Sequence, residues 1–211
     1  MRKEESKEAL QLKIIVIGEP SVGKTSTIRK YCHGVFDQLY RATIGVDFAV
    51  KFTTVDERDV ELRLWDIAGQ EKYIAMTRVY YNGAHGAIIM YDLTNPDTFA
   101  ATDRWKEDLE NKVKFNEQSI PALLVGNKAD CLSEEELKKA QEDLMAKVAE
   151  QKYSDGILTS AKSGLAVEEA MAKITRLIFK QFSDLVNPKP DANNVDISKQ
   201  GQQTQKEGGC C

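Results

Sequence analysis

The stretch "GEPSVGKT", Gly18 to Thr25, sets two glycines, a lysine and a threonine at a spacing that can cradle a phosphate chain. An apolar, β-branched run precedes it and a helical pattern follows, which is the context a Walker A motif needs. In such a loop, backbone N–H groups and the helix N-terminus converge on an anion. Gly18 and Gly23 permit the turn and the close approach, Lys24 reaches the β- and γ-phosphates, and the Thr25 hydroxyl can ligate Mg²⁺. A tight turn with a capping threonine is the bland alternative, and the strand-then-helix context disfavours it. The choice of nucleotide stays open at this point.

A second segment bears on that choice. "GNKAD", Gly126 to Asp130, closes an apolar run, and ligands of open α/β sheets bind at the C-terminal ends of strands. An aspartate there can accept from both N1–H and the exocyclic amine of guanine, donors that adenine lacks. A carboxylate left unpaired against the wrong base is costly, so discrimination of roughly 10⁴-fold is within reach. The Lys128 stem can lie along one face of the ring and Phe36 can cover the other. "TSAKS" ends a later apolar run, and its Ala161 N–H is placed to donate to guanine O6. Together with the phosphate loop, this points to GTP over ATP. A phosphotransferase acting on ATP remains a rival, although the clustered arginines of a lid are not found.

These segments need strands to hold them. From Leu12 the chain alternates short apolar runs with longer helical patterns, the signature of a parallel sheet covered by helices. The expected strands are "LKIIVIG", "VDFAVKFTTV", "VELRLWDI", "GAIIMYDL", "PALLVGNK" and "DGILTSA". The second and third alternate apolar with polar residues and read as a hairpin with one wet face; the others are continuously apolar, as interior parallel strands are. Ser133 with Glu136 forms a capping box, and Asn95 caps a helix that opens on Pro96. Val167, Ala170, Met171, Ile174, Leu177, Ile178 and Phe182 form one apolar stripe, so the last long helix lies on the sheet. "RWKEDLENKVK" reads as a solvated helix face, and His33 and His85 as surface or filler positions.

Composition bounds the rest. The 211 residues suffice for one domain with a full core, at 42% hydrophobic and 29% charged. A net charge of -4 offers no basic stripe, which argues against nucleic acid as a partner. "MRKEESKEAL" has no apolar stretch behind its basic residues, so it does not read as a secretory signal, and the longest apolar runs are too short for a bilayer. Cys32, Cys131, Cys210 and Cys211 have neither disulfide-framework nor zinc-finger spacing, which suits a reducing compartment. The organisation expected is a flexible extension over 1–10, a folded domain over 11–186, and a disordered tail over 187–211 that is too polar to fold.

With "WDIAGQE" between the two segments and "RATIGVDF" ahead of it, the chain resembles the Rab branch of the small Ras-like GTPases from Leu12 to Cys211. "DIAGQE" with "MTRVYY" is similar to the Rab subgroup of lysosome-related organelles. The resemblance implies the P-loop small-GTPase fold: an α/β architecture with a six-stranded, mostly parallel sheet, one antiparallel strand, and helices on both faces. It also implies a GTP/GDP-regulated switch that hydrolyses GTP slowly and recruits effectors in vesicle trafficking.

Carried over residue by residue, the resemblance gives Mg²⁺ to Thr25, Thr43 and, through water, Asp66. Thr43 and Gly69 sense the γ-phosphate through their N–H groups, and Gln70 orients the attacking water beside Lys24. Further nucleotide contacts fall to Ser21, Val22, Ser26 and Tyr40 at the phosphate end. At the base end they fall to Asn127, Lys128, Asp130, Ser160 and Lys162. Phe48, Trp65 and Tyr80 match an aromatic triad presented to effectors. Two departures stand out. Pro20 removes an N–H donor from the phosphate loop, and Ile67 replaces the usual threonine of "WDTAGQE". They lend some support to a GTP-binding scaffold that does not hydrolyse. No evident arginine finger is present in cis, so an activating protein is expected to be worth about 10³–10⁵ in rate.

The ending "KEGGCC" is no metal site and no C-a-a-X box. In the family a terminal "CC" is doubly geranylgeranylated, here at Cys210 and Cys211. One lipid anchors only marginally, and the tail's three lysines are balanced by three acids, so the second lipid is the second signal. Such a tail holds the domain about 25–30 Å from the membrane on average. Partners implied are an exchange factor, a GTPase-activating protein, a GDP-dissociation inhibitor, the Rab escort protein with geranylgeranyl transferase, and effectors. The location implied is the cytoplasmic face of endosomal, lysosome-related or Golgi-derived membranes, with a cytosolic pool.

Overall fold

The computed structural model describes residues 9–37, 42–69 and 77–186. Its six strands are β1 (Leu10–Gly18), β2 (Val46–Val55), β3 (Arg58–Ile67), β4 (Gly86–Asp92), β5 (Ala122–Asn127) and β6 (Asp155–Leu158). They form one sheet in the order β2-β3-β1-β4-β5-β6. Only the β2–β3 pairing is antiparallel. The hairpin turns at Asp56 and Glu57, both at positive φ, the backbone twist that two-residue hairpin loops favour. Leu10, expected in the N-terminal extension, is already paired with Val60 as the first residue of β1.

Helices α1 (Lys24–His33), α2 (Thr77–Tyr81), α3 (Pro96–Ala100), α4 (Thr102–Lys112), α5 (Glu134–Glu150), α6 (Val167–Gln181) and α7 (Ser183–Val186) complete the fold. The strand pleat sorts them, because alternate residues point to opposite faces. A Cβ on Gly86 would meet Ile174 and Ile178 of α6, which puts α6 on that face. Tyr91, five residues along β4, points the other way and lies 4.7 Å from Phe99 of α3. Gly156 on β6 faces Leu144 and Val148 of α5, and the register Ile89–Leu124–Gly156 places α5 on the Tyr91 side. Both faces are covered, as the expected fold requires.

The caps match their sequence signals. Asn95 Oδ1 accepts from the Asp97 N–H at 3.1 Å, and Ser133 and Glu136 form the reciprocal box at the start of α5. The apolar stripe of α6 is buried from Val167 to Ile178. One expectation is corrected. "RWKEDLENKVK" is not a solvated face: Trp105, Lys106 and Leu109 of α4 are buried. His85 fills a half-buried position, its Nδ1 accepting from the Lys13 N–H at 3.0 Å and its ring 4.6 Å from that of Phe115. Among the described residues no helix is long and apolar enough to cross a membrane.

Candidate functional site

Strand β1 ends at Gly18, whose φ of 138° and approach to β4 both exclude a side chain: a Cβ there would stand 2.2 Å from the Met90 carbonyl oxygen. Gly23, at φ 98°, has the same need, since its Cβ would stand 2.2 Å from Asn127 Nδ2. Between them the loop folds back so that Lys24, the first residue of α1, donates from Nζ to the Gly18 and Glu19 carbonyls at 2.9 and 2.8 Å. Burial lowers the Lys24 pKa to about 8, although the Asp66 and Glu19 carboxylates oppose the shift.

Beside the lysine three oxygens converge. The Thr25 and Thr43 hydroxyls are 2.7 Å apart. Both donate to Asp66 Oδ2, Thr25 in a very short bond and Thr43 at 3.3 Å. The other carboxylate oxygen, Oδ1, is buried and has no hydrogen-bond partner among the described residues. Burial raises the Asp66 pKa, while the Thr25 hydrogen bond and the Lys24 charge hold it down. Gly69 lies directly on the loop; a Cβ there would come within 2.5 Å of the Gly18 carbonyl oxygen.

Strands β5 and β6 supply the far end. Asn127 closes β5 and binds both ways, donating from Nδ2 to the Val22 carbonyl at 2.9 Å and accepting the Ala161 N–H on Oδ1 at 3.0 Å. The Ala161 N–H, expected to face a base carbonyl, is therefore already engaged, and any such contact is shared with this bond. Lys128 sits in the left-handed region at φ 71°, and its ammonium pairs with Asp92 at 2.6 Å. Ser160 Oγ donates to Asp130 Oδ1 at 2.5 Å. That bond, with the Lys162 ammonium at 3.6 Å, lowers the Asp130 pKa.

The two ends border one open cleft of about 320 Å³. Ser21, Gly23, Lys24, Thr25 and Ser26 line its floor, Thr43 and Gly69 one rim, and Phe36 another wall. Lys128, Asp130, Ala161 and Lys162 line the opposite end. Val22 and Ser160 sit behind the lining, the first giving its carbonyl to Asn127 and the second supporting Asp130. Tyr40, Gln70, Cys210 and Cys211 lie outside the described residues. Phe48 and Trp65 are brought together, ring centroids 5.9 Å apart, with Phe48 61% exposed. Tyr80, on α2, is partly buried against the core. The hairpin has the one solvent-facing side that was expected, and Phe48, Val50 and Phe52 stand exposed on it beside the Glu61–Arg63 ion pair.

Several residues of the site escaped sequence reasoning. Asp92, which pairs with Lys128 from behind the cleft, ends β4 directly opposite Asn127, so the strand-end rule that found "GNKAD" could have found it. Arg29, Asp37 and Cys131 line the cleft, and no motif marks them.

The Ras family profile matches residues 13–180. The chain is 40% identical to human "Ras-related protein Rab-32" over 209 residues, covering 98% of this chain and 92% of that protein. It is 36% identical to "Ras-related protein Rab-32C" of Dictyostelium discoideum over 198 residues, covering 94% and 85%. It is 35% identical to human "Ras-related protein Rab-7L1" over 202 residues, covering 94% and 96%. Matches of this extent agree with the six-stranded sheet and with the expected subgroup. The chain belongs to the Rab branch of the Ras family: a small GTPase that binds guanine nucleotide and hydrolyses GTP in vesicle trafficking.

Proposed function

We propose that the cleft binds GTP and GDP with Mg²⁺ and that loss of the γ-phosphate releases the segments around Thr43 and Gly69. The observation that carries this reading is the convergence of Thr25, Thr43 and Asp66 on one corner, with Asp66 Oδ1 buried and unpaired among the described residues. Hydroxyl and carboxylate oxygens are the ligand set a small hard cation prefers, and a water on Mg²⁺ would satisfy the orphan oxygen. The residues therefore fit the ion, which Thr25 and Thr43 would hold directly and Asp66 through a water. When bound, Mg²⁺ supplies charge neutralisation between the β- and γ-phosphates.

The chain's own groups do the remainder. The Lys24 ammonium keeps its two loop carbonyls and turns its remaining donor to the phosphate oxygens, and the Gly18 and Gly23 backbone leaves room for the phosphate chain. Ser21, Val22 and Ser26 add loop contacts, and Tyr40 adds a further nucleotide contact. Gln70 orients the attacking water. Phe36 and the Lys128 stem sandwich the base, while Asp130, backed by Ser160 and Lys162, accepts its N–H donors. Asn127 and Ala161 brace that end.

Residues 10–186, from the start of β1, act as the GTP-binding domain. Phe48, Trp65 and Tyr80 present the nucleotide state to effectors. Cys210 and Cys211 carry two geranylgeranyl groups, added with the escort protein, and a GDP-dissociation inhibitor maintains the cytosolic pool. An exchange factor and a GTPase-activating protein set the two states on endosomal, lysosome-related or Golgi-derived membranes. The test is a Mg²⁺ titration of GDP release. Asp66→Asn is expected to weaken the Mg²⁺ requirement midpoint by roughly 10–100-fold, the size of effect seen when an outer-shell ligand is lost. An unchanged midpoint contradicts the assignment.

A further inference from the structure

Glu19 is the one acidic residue of the phosphate loop, and none of the roles above uses its side chain. Its Oε1 accepts from two donors on consecutive residues of α4, the Trp105 indole Nε1 at 2.7 Å and Arg104 Nη2 at 2.5 Å. Trp105 is 2% exposed, so its end of this clamp is fixed by the core.

The main chain of the same residue is inside the site. The Glu19 carbonyl accepts from Lys24 Nζ at 2.8 Å. A Cβ on Gly69 would stand 2.6 Å from both the Glu19 carbonyl carbon and the Pro20 nitrogen, so Gly69 rests on the Glu19–Pro20 peptide. Proline gives that peptide no N–H, and it cannot be fastened through a donor of its own. The Glu19 side chain supplies a fastening instead, and α4 holds the other end. Charge gives the arrangement a second consequence. A bare carboxylate in a loop that receives phosphates repels them, and the Arg104 guanidinium offsets that repulsion.

We propose that Glu19 is a positioning residue for the nucleotide: clamped by Arg104 and Trp105, it sets the peptide against which Lys24 and Gly69 are placed, and α4 thereby helps determine how long nucleotide stays bound. This rests on the cleft being the guanine-nucleotide site. Arg104 is about half exposed, so its truncation leaves the core intact.

The experiment measures release of a fluorescent GDP analogue from the full chain, first for the wild type and then for Arg104→Ala, Glu19→Gln and the double variant. Arg104→Ala is expected to release on the order of 10-fold faster, as loss of one charge-assisted hydrogen bond predicts. The double variant is expected to return towards the wild-type rate, because an amide oxygen still accepts the Trp105 N–H without repelling phosphate. A merely structural loss at Arg104 is not rescued by a change at Glu19. Wild-type release by Arg104→Ala, or a double variant as fast as Arg104→Ala, overturns the proposal. A wild-type chain that takes up no guanine nucleotide overturns the cleft reading itself, together with everything built on it.

Discussion

Asn127 donates from Nδ2 to the carbonyl oxygen of Val22 at 2.9 Å, joining two residues 105 positions apart. One side chain thereby fastens the end of β5 to the phosphate loop, and its Oδ1 holds the Ala161 N–H on the other side. Asn127 is 2% exposed. Asn127→Ala leaves a buried carbonyl and a buried N–H without partners, each costing ~1–3 kcal/mol. GDP dissociation is expected to accelerate by roughly 10²-fold. Stopped-flow release of a fluorescent analogue checks this, and an unaltered rate contradicts the brace.

Lys24 makes binding sensitive to pH. Its folded-state pKa of about 8 lies below the ordinary 10.5 because burial disfavours the charge. Between those values the unfolded chain binds more protons than the folded one, so nucleotide-free stability rises with pH across that window. Phosphates beside the ammonium favour its charged form. GDP binding is therefore expected to take up close to one proton at about pH 9 and very little near pH 7. GDP affinity falls correspondingly as pH rises above about 8. Calorimetry in two buffers of different ionisation enthalpy measures the uptake, and identical heats at about pH 9 contradict it.

The strands and the phosphate loop were legible because their signals are local. Continuous apolar runs marked β1, β4 and β5 to within a residue or two and β6 at its start, with its end three residues too long, and Gly18, Gly23, Lys24 and Thr25 carry their chemistry in their spacing. Clamps between distant segments were not legible. Trp105 and Glu19 meet across 86 positions, and the charges around Trp105 and Leu109 hide the short apolar stripe that turns α4 inward. Lys128 in the left-handed region has no local signal either. Its partner Asp92 comes from the neighbouring strand, opposite Asn127, so that contact is tertiary.

The tail gives a prediction independent of the cleft. On the proposed double lipidation, changing Cys210→Ser together with Cys211→Ser removes both attachment points, and changing either cysteine alone leaves one, which anchors only marginally. The double variant is expected wholly in the cytosolic fraction, with GDP release unchanged. Fractionation of cells expressing each form checks this, and membrane association of the double variant contradicts the tether.

The most direct test is amide hydrogen exchange of the full chain loaded with GDP and then with a non-hydrolysable GTP analogue. Thr43 shares its hydroxyl with Thr25, and Gly69 rests on the phosphate loop, so both backbone amides are placed to report the terminal phosphate. Protection at Thr43 and Gly69 is expected to be higher with the triphosphate and to collapse with the diphosphate, while Asn127 and Asp130 exchange alike in both. Equal protection at Thr43 and Gly69 in the two states contradicts the account.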